Sequence, residues 1–152
     1  MRINISPIGI IHSPYKKAAD VPCQAYKSGK KGCVKIYSRF AQGLDDIDGF
    51  SHIILVFYFH KAESYTLKAI PYRDNVPRGV FSIRSPWRPN HIGVSIVKLL
   101  KRKGRELIIQ GMDVIDRTPL LDIKPYVPVF DERYSHVRIG WLTGKIGKQR
   151  KS

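Results

Sequence analysis

Between two histidines, the run Ile53-Ile54-Leu55-Val56-Phe57-Tyr58-Phe59 carries no charge, no glycine and no proline. Three of its members are β-branched and three are aromatic, a mixture that suits a pleated surface better than a helix. Seven residues cannot cross a bilayer as a helix, but they are an ordinary strand length. With no polar alternation, the segment His52 to His60 is expected to be a strand buried on both faces. Such a strand needs partners. Ile5 to His12 and Gly32 to Tyr37 are short and apolar or alternating, and Ser95 to Ile115 has a hairpin pattern with Lys101 to Arg105 as its connection. One short helix is expected over Ser38 to Phe50, limited by Gly43 and Gly49. Ten prolines and twelve glycines punctuate the remainder. The pattern predicts an all-β fold, a β-barrel or closed sheet with short helical additions and long loops.

A chain of 152 residues can bury a single core without staples, and no internal repeat divides it. The barrel domain is expected over residues 1–131, with a basic C-terminal extension over 132–152 that frays from Thr143. Residues 14–31 and 61–78 are long and weakly periodic, the first expected to be a mobile arm.

Charge narrows the choice of partner. Twenty-seven Lys and Arg stand against 12 Asp and Glu, a formal net charge of +15. An excess of that size points to a polyanion, nucleic acid above all. Cys23 and Cys33 form no disulfide framework, and no His or second Cys pair gives metal-ligand spacing. They are expected to be free thiols in a reducing cytosol. The first residues lack the apolar core of a signal peptide, so a cytoplasmic protein without a membrane span is expected.

No nucleophile elbow, phosphate loop, zinc-protease motif or dinucleotide fingerprint is present. Two segments are nevertheless dense in polar residues pinned by proline and glycine. In Gly79 to Leu100, Arg84 and Arg88 flank Pro86 and Trp87 ahead of Pro89, Asn90, His91 and Gly93. In Asp113 to Pro128, Asp116, Thr118, Asp122 and Lys124 punctuate an apolar frame. Each residue alone has an ordinary explanation: Asp116 and Thr118 can cap a turn, and Asp122 with Lys124 can be a surface pair. Two arginine forks on a stiff turn are better suited to planar carboxylate or phosphate.

Four ordered stretches, PIGIIHSPY, GLDDIDGFSHIILVFYFH, GVFSIRSPWRPNHIGVSIVKLL and DRTPLLDIKPYVP, together resemble the TsaA/TrmO family over roughly residues 5 to 131. The resemblance implies a β-barrel methyltransferase that uses S-adenosylmethionine and acts on tRNA as a homodimer, with the cofactor near the subunit contact. It also implies the reaction: methyl transfer to N6 of threonylcarbamoyladenosine beside the anticodon. Carried over by position, the cofactor contacts fall on Pro22, Cys23, Gln24, His60, Lys61, Arg84, Val94, Ile115, Asp116, Arg117 and Thr118. The sequence departs from the family pattern at Cys23 (usually Arg), Arg117 (usually Gly) and His91 (commonly Pro). A left-handed backbone at residue 117 would strain an arginine.

A sulfonium leaving group needs alignment and desolvation rather than a covalent nucleophile or a metal. Asp122, or a water it orients, is the candidate acceptor for the N6 proton, with Asn90 as the second catalytic candidate. Arg88, Lys124 and Tyr126 are expected to line the substrate side, with Arg84 facing the cofactor and Arg88 projecting outward to RNA. Two other readings use the same residues: a non-enzymatic RNA-binding β-barrel, and a methyltransferase with another acceptor.

Overall fold

Every apolar stretch singled out above becomes part of one closed sheet in the computed structural model, which describes residues 1–147. The expected extension's last residues, 148–152, lie outside the described residues. Strands β1 (Gly9–His12), β2 (Lys31–Ile36), β3 (His52–Tyr58), β4 (Lys68–Ala69), β5 (Arg78–Gly79), β6 (Ile92–Lys103), β7 (Glu106–Gln110) and β8 (Thr118–Pro125) follow in chain order. Six of them close an antiparallel barrel in the order β1-β2-β7-β6-β3-β8, while β4 and β5 form a separate two-stranded sheet. The all-β barrel expected from the sequence is therefore the fold.

Alternation builds the interior. Ile53, Leu55 and Phe57 of β3, Val97 and Leu99 of β6, and Leu107 and Ile109 of β7 point inward and are buried. Ile11, Val34, Ile36 and Leu120 complete the barrel's lining. The strand expected to be buried on both faces is buried on one: Ile54 and Val56 are half-buried and Tyr58 is 37% exposed. The reason is closure, since a barrel covers only its inner face with its own chain. On the outside, Ile54 pairs with Ile96 and Val56 with Val94, and Val94 and Ile96 are exposed.

Element limits shift in instructive ways. The sheet uses Gly9 to His12, leaving Ile3 and Ile5 exposed. The β6–β7 connection shrinks to Gly104-Arg105, a two-residue turn made possible by Gly104 at φ 57°. The expected short helix is a pair of 3-10 segments, Ser38–Leu44 and Ile47–Gly49, and the one α-helix among the described residues is α1 (Pro128–Asp131). The arm at 14–31 is irregular but fastened. Tyr15 is buried and its hydroxyl meets Ser28 Oγ at 2.6 Å; Gln110 Nε2 donates to Gly29 O at 2.8 Å, and Gly111 N–H donates to Lys30 O at 3.2 Å. Residues 140–145 are also seated rather than frayed. Trp141 Nε1 donates to Ser82 O at 2.8 Å, and Lys145 Nζ lies 2.5 Å from Asp74, which Arg78 also holds at 2.6 Å. No helix among the described residues is long and apolar enough to cross a membrane.

Candidate active site

One rim of the barrel collects the ends of β1, β3 and β7 and the starts of β2, β6 and β8, as the strand registers require. A cleft of about 1170 Å³ opens there and runs along the outer face of β6 as far as Lys98, His52 and Tyr126. Its floor is aromatic: Phe57 and Phe59 meet edge to face at 5.3 Å beside Gly93. A Cβ on Gly93 would lie 2.3 Å from the Phe57 ring, so only glycine lets β6 start this close to the floor.

Four separated segments bring expected cofactor residues to this cleft. The arm supplies Pro22, Cys23 and Gln24; the exit of β3 supplies His60 and Lys61. The proline-pinned turn and the start of β6 supply Arg84 and Val94, and the approach to β8 supplies Ile115 and Thr118. Among expected substrate residues, Arg88 and Tyr126 also line it. Burial and then the neighbouring Lys61 push the His60 pKa down, favouring a neutral imidazole. Tyr126 donates its hydroxyl to Glu132 Oε1, and that bond first, with burial second, pushes its pKa up to about 12.

Asp116 and Arg117 stand behind the cleft wall rather than on it. Asp116 accepts from Ser13 N–H at 3.0 Å and from Lys16 Nζ at 2.5 Å, with His12 Nδ1 at 3.6 Å. Lys16 first, then Ser13 N–H, lower its pKa against the cost of burial. The carboxylate thus ties the arm's beginning to the turn before β8. Arg117 has φ 66°, the left-handed conformation expected to strain a residue other than glycine. Thr118 Oγ1 closes the turn by donating to Ile115 O at 2.6 Å.

The remaining expected residues are not brought to the cleft. Asp122 opens onto a separate hollow of about 500 Å³ beside Phe40, Leu44 and Phe50, and binds Lys124 Nζ at 2.9 Å. A register shift between Val56 and Phe57 sets Leu120 opposite Phe57 and Asp122 opposite Val56, and the sequence shows no trace of it. Asn90 is exposed on the turn and does not line the cleft. Arg88 does not project outward as expected. Its Nη1 turns back to donate to Ile83 O at 2.9 Å and to Ser85 O at 3.4 Å, so it clamps the turn. Arg84 is exposed and makes no hydrogen bond or ion pair among the described residues. His91 adopts φ 51°, which a proline ring could not.

Two residues were missed. Asp113 lines the cleft and accepts a short hydrogen bond from Ser95 Oγ, itself 6% exposed. Burial raises the Asp113 pKa, opposed by Ser95, by the backbone N–H groups of Asp113 and Ala25, and by Arg84. The signals were present: Asp113 sits between the buried Met112 and Val114, and Ser95 occupies an inward position of β6.

Residues 10–132 match the family model described as the tRNA-methyltransferase O N-terminal domain. The chain belongs to the TrmO family. A Pyrococcus abyssi relative, described as a probable S-adenosyl-L-methionine-binding protein, is 51% identical over 147 residues, 96% of this chain and 79% of the relative. A mouse tRNA (adenine(37)-N6)-methyltransferase is 39% identical over 133 residues, 82% of this chain but 31% of the mouse protein. A crystal structure of TrmO superposes with TM-score 0.78 at 35% identity, covering 92% of this chain and 64% of that one. The chain thus spans most of the archaeal relative and less than two thirds of the mouse enzyme and the solved TrmO chain. TrmO membership places it in a class of S-adenosylmethionine-dependent tRNA methyltransferases and agrees with the barrel.

Proposed function

We propose that this protein transfers a methyl group from S-adenosylmethionine to N6 of threonylcarbamoyladenosine beside the anticodon of a tRNA. The observation that carries this reading is the convergence of Pro22 to Gln24, His60-Lys61, Arg84, Val94 and Ile115 on one cleft from four distant stretches. The volume of about 1170 Å³ exceeds the ~300–1,000 Å³ usual for small-molecule pockets, leaving room for a nucleoside cofactor and part of an acceptor base. Apolar Val94, Ile115 and Phe59 suit an adenine and exclude water. When bound, S-adenosylmethionine supplies an activated methyl on a sulfonium.

The chain's own contribution is placement and desolvation. Arg84 carries an uncommitted fork at the cleft. His52 and Tyr126, edge to face at 6.3 Å, offer an aromatic wall for a base on the substrate side, with Arg88 bracing the turn and Asn90 exposed on it. Asp122 lines the separate hollow and pairs with Lys124, so no proton-accepting step at the cleft is assigned to Asp122. The net charge of +15 suits the tRNA phosphates. Residues 1–131 act as the methyltransferase unit and 132–152 as its basic extension, working in the cytoplasm.

The reading includes a homodimer. Val94 and Ile96 belong both to the cleft wall and to the exposed outer row that pairs with Ile54 and Val56. A second copy of this chain covering that row would bury it and wall the cleft. Calorimetric titration with S-adenosylmethionine is expected to show saturable binding; folded protein giving no heat would remove the reading. Mass spectrometry of tRNA nucleosides from a deletion strain and its parent then identifies the acceptor. Loss of the N6-methylated threonylcarbamoyladenosine is expected, and loss of a different methylated species would reassign the substrate.

A further inference from the structure

The cleft of this strongly basic chain has cationic walls. Lys61, Arg84, Arg88 and Lys98 line it, and Asp113 is the carboxylate among its described lining residues. That carboxylate is built in rather than incidental. Ser95, on the inward face of β6, donates to Oδ1, and the backbone N–H of Ala25 also faces it. Ala25 directly follows Pro22-Cys23-Gln24, and Ser95 directly follows Val94. Asp113 therefore sits where the arm and β6 meet, joined to both.

Arg84 lines the same cleft as Asp113, yet no ion pair between them forms and the Arg84 fork stays uncommitted. Asp113 is partly buried, and holding a carboxylate there without a cation in contact has a cost that a ligand bringing the cation recovers. The arrangement is an anion and a cation lining one cleft. An α-amino acid has the complementary pattern: a carboxylate for the guanidinium fork and, one carbon away, an ammonium for the carboxylate.

We propose that Asp113 and Arg84 together form the seat for the zwitterionic amino-acid end of the cofactor, with Asp113 receiving the ammonium and Arg84 the carboxylate. This rests on the function proposed above. Ser95 holds the Asp113 carboxylate in place, and Ala25 couples the seat to the arm. The seat recognises the amino-acid end alone, so it treats the methylated cofactor and its demethylated product alike. Aromatic and apolar residues elsewhere in the cleft hold the adenosine.

Three probes separate the alternatives: S-adenosylmethionine, its product S-adenosylhomocysteine, and methylthioadenosine, which keeps the adenosine and thioether but lacks the amino acid. In Asp113→Asn, affinity for the first two is expected to fall about ten-fold or more, and affinity for methylthioadenosine to stay near wild type. Ser95→Ala is expected to shift the same two probes in the same direction by less, and Asp113→Glu to recover part of the loss. A fall for S-adenosylmethionine alone would make Asp113 a counter-charge for the sulfonium and overturn the proposal. Equal losses for all three probes would make it a structural tie, and the same conclusion holds if Asp113→Asn and Asp113→Glu both fail to fold. Unchanged affinities with slowed turnover would make it a proton acceptor, again overturning the seat. Wild-type protein that binds none of the probes would instead remove the proposed function itself.

Discussion

The two arginines of the proline-pinned turn are placed differently, and side-chain direction separates them. Arg88 satisfies two carbonyls of its own turn, while Arg84 is exposed at the cleft with no such commitment. Arg88→Ala is expected to cost about 1–3 kcal/mol of stability, because it strands Ile83 O and Ser85 O, and to lower both cofactor and tRNA binding with it. Arg84→Ala is expected to keep the melting temperature within a few degrees and weaken cofactor binding only; thermal melts and titrations of both variants check the pair. A second residue-scale test concerns Arg117 at φ 66°. Arg117→Gly removes a left-handed conformation that costs about 1–2 kcal/mol, partly offset by glycine's greater freedom when unfolded. A net gain of roughly 0.5–1 kcal/mol in chemical denaturation is the expected outcome.

At the scale of elements, the clearest device outside the barrel is the clamp on residues 140–145. Asp74 binds Lys145 and Arg78, and Trp141 caps the group by donating to Ser82 O. The Lys145 bond first, and Arg78 second, hold the Asp74 pKa well below the usual carboxylate range. A depressed folded pKa contributes stability that is present above the unfolded value and lost as pH falls through the folded one. In a Trp87→Phe background, Trp141 fluorescence should therefore hold steady as pH falls through ~4 and change only in stronger acid. Asp74→Asn should shift it already at neutral pH. This clamp was invisible in sequence, because Asp74 and Lys145 are 71 residues apart in an irregular stretch. The strands were legible for the opposite reason: Ile53, Leu55 and Phe57 alternate inward within a run that nothing interrupts. Where the reading failed, tertiary closure decided: the barrel covers one face of β3, and a register shift carries Asp122 away from the cleft. Residues expected at the cofactor come together at the cleft where a motif marked a chain turn, as at Pro22 to Gln24 and Arg84. Asp113 and Ser95 went unnoticed because one polar residue in an apolar frame resembles many others.

For the molecule as a whole, the proposed dimer rests on the outer row of Ile54, Val56, Val94 and Ile96, and the proposed tRNA contact on the charge of +15. Ile96→Asp is expected to convert a dimer to a monomer in sedimentation and to weaken cofactor binding, since Ile96 is shared by row and cleft. A wild-type monomer that methylates would contradict the shared wall. The central claim is methyl transfer to one modified base, and the most direct measurement is reaction of the purified protein with S-adenosylmethionine and tRNA containing threonylcarbamoyladenosine. Mass spectrometry of the digested product is predicted to show one added methyl on N6 of that nucleoside, and none on tRNA lacking the threonylcarbamoyl group. Saturable cofactor binding with the methyl on a different nucleoside, or with no transfer to tRNA at all, would contradict it.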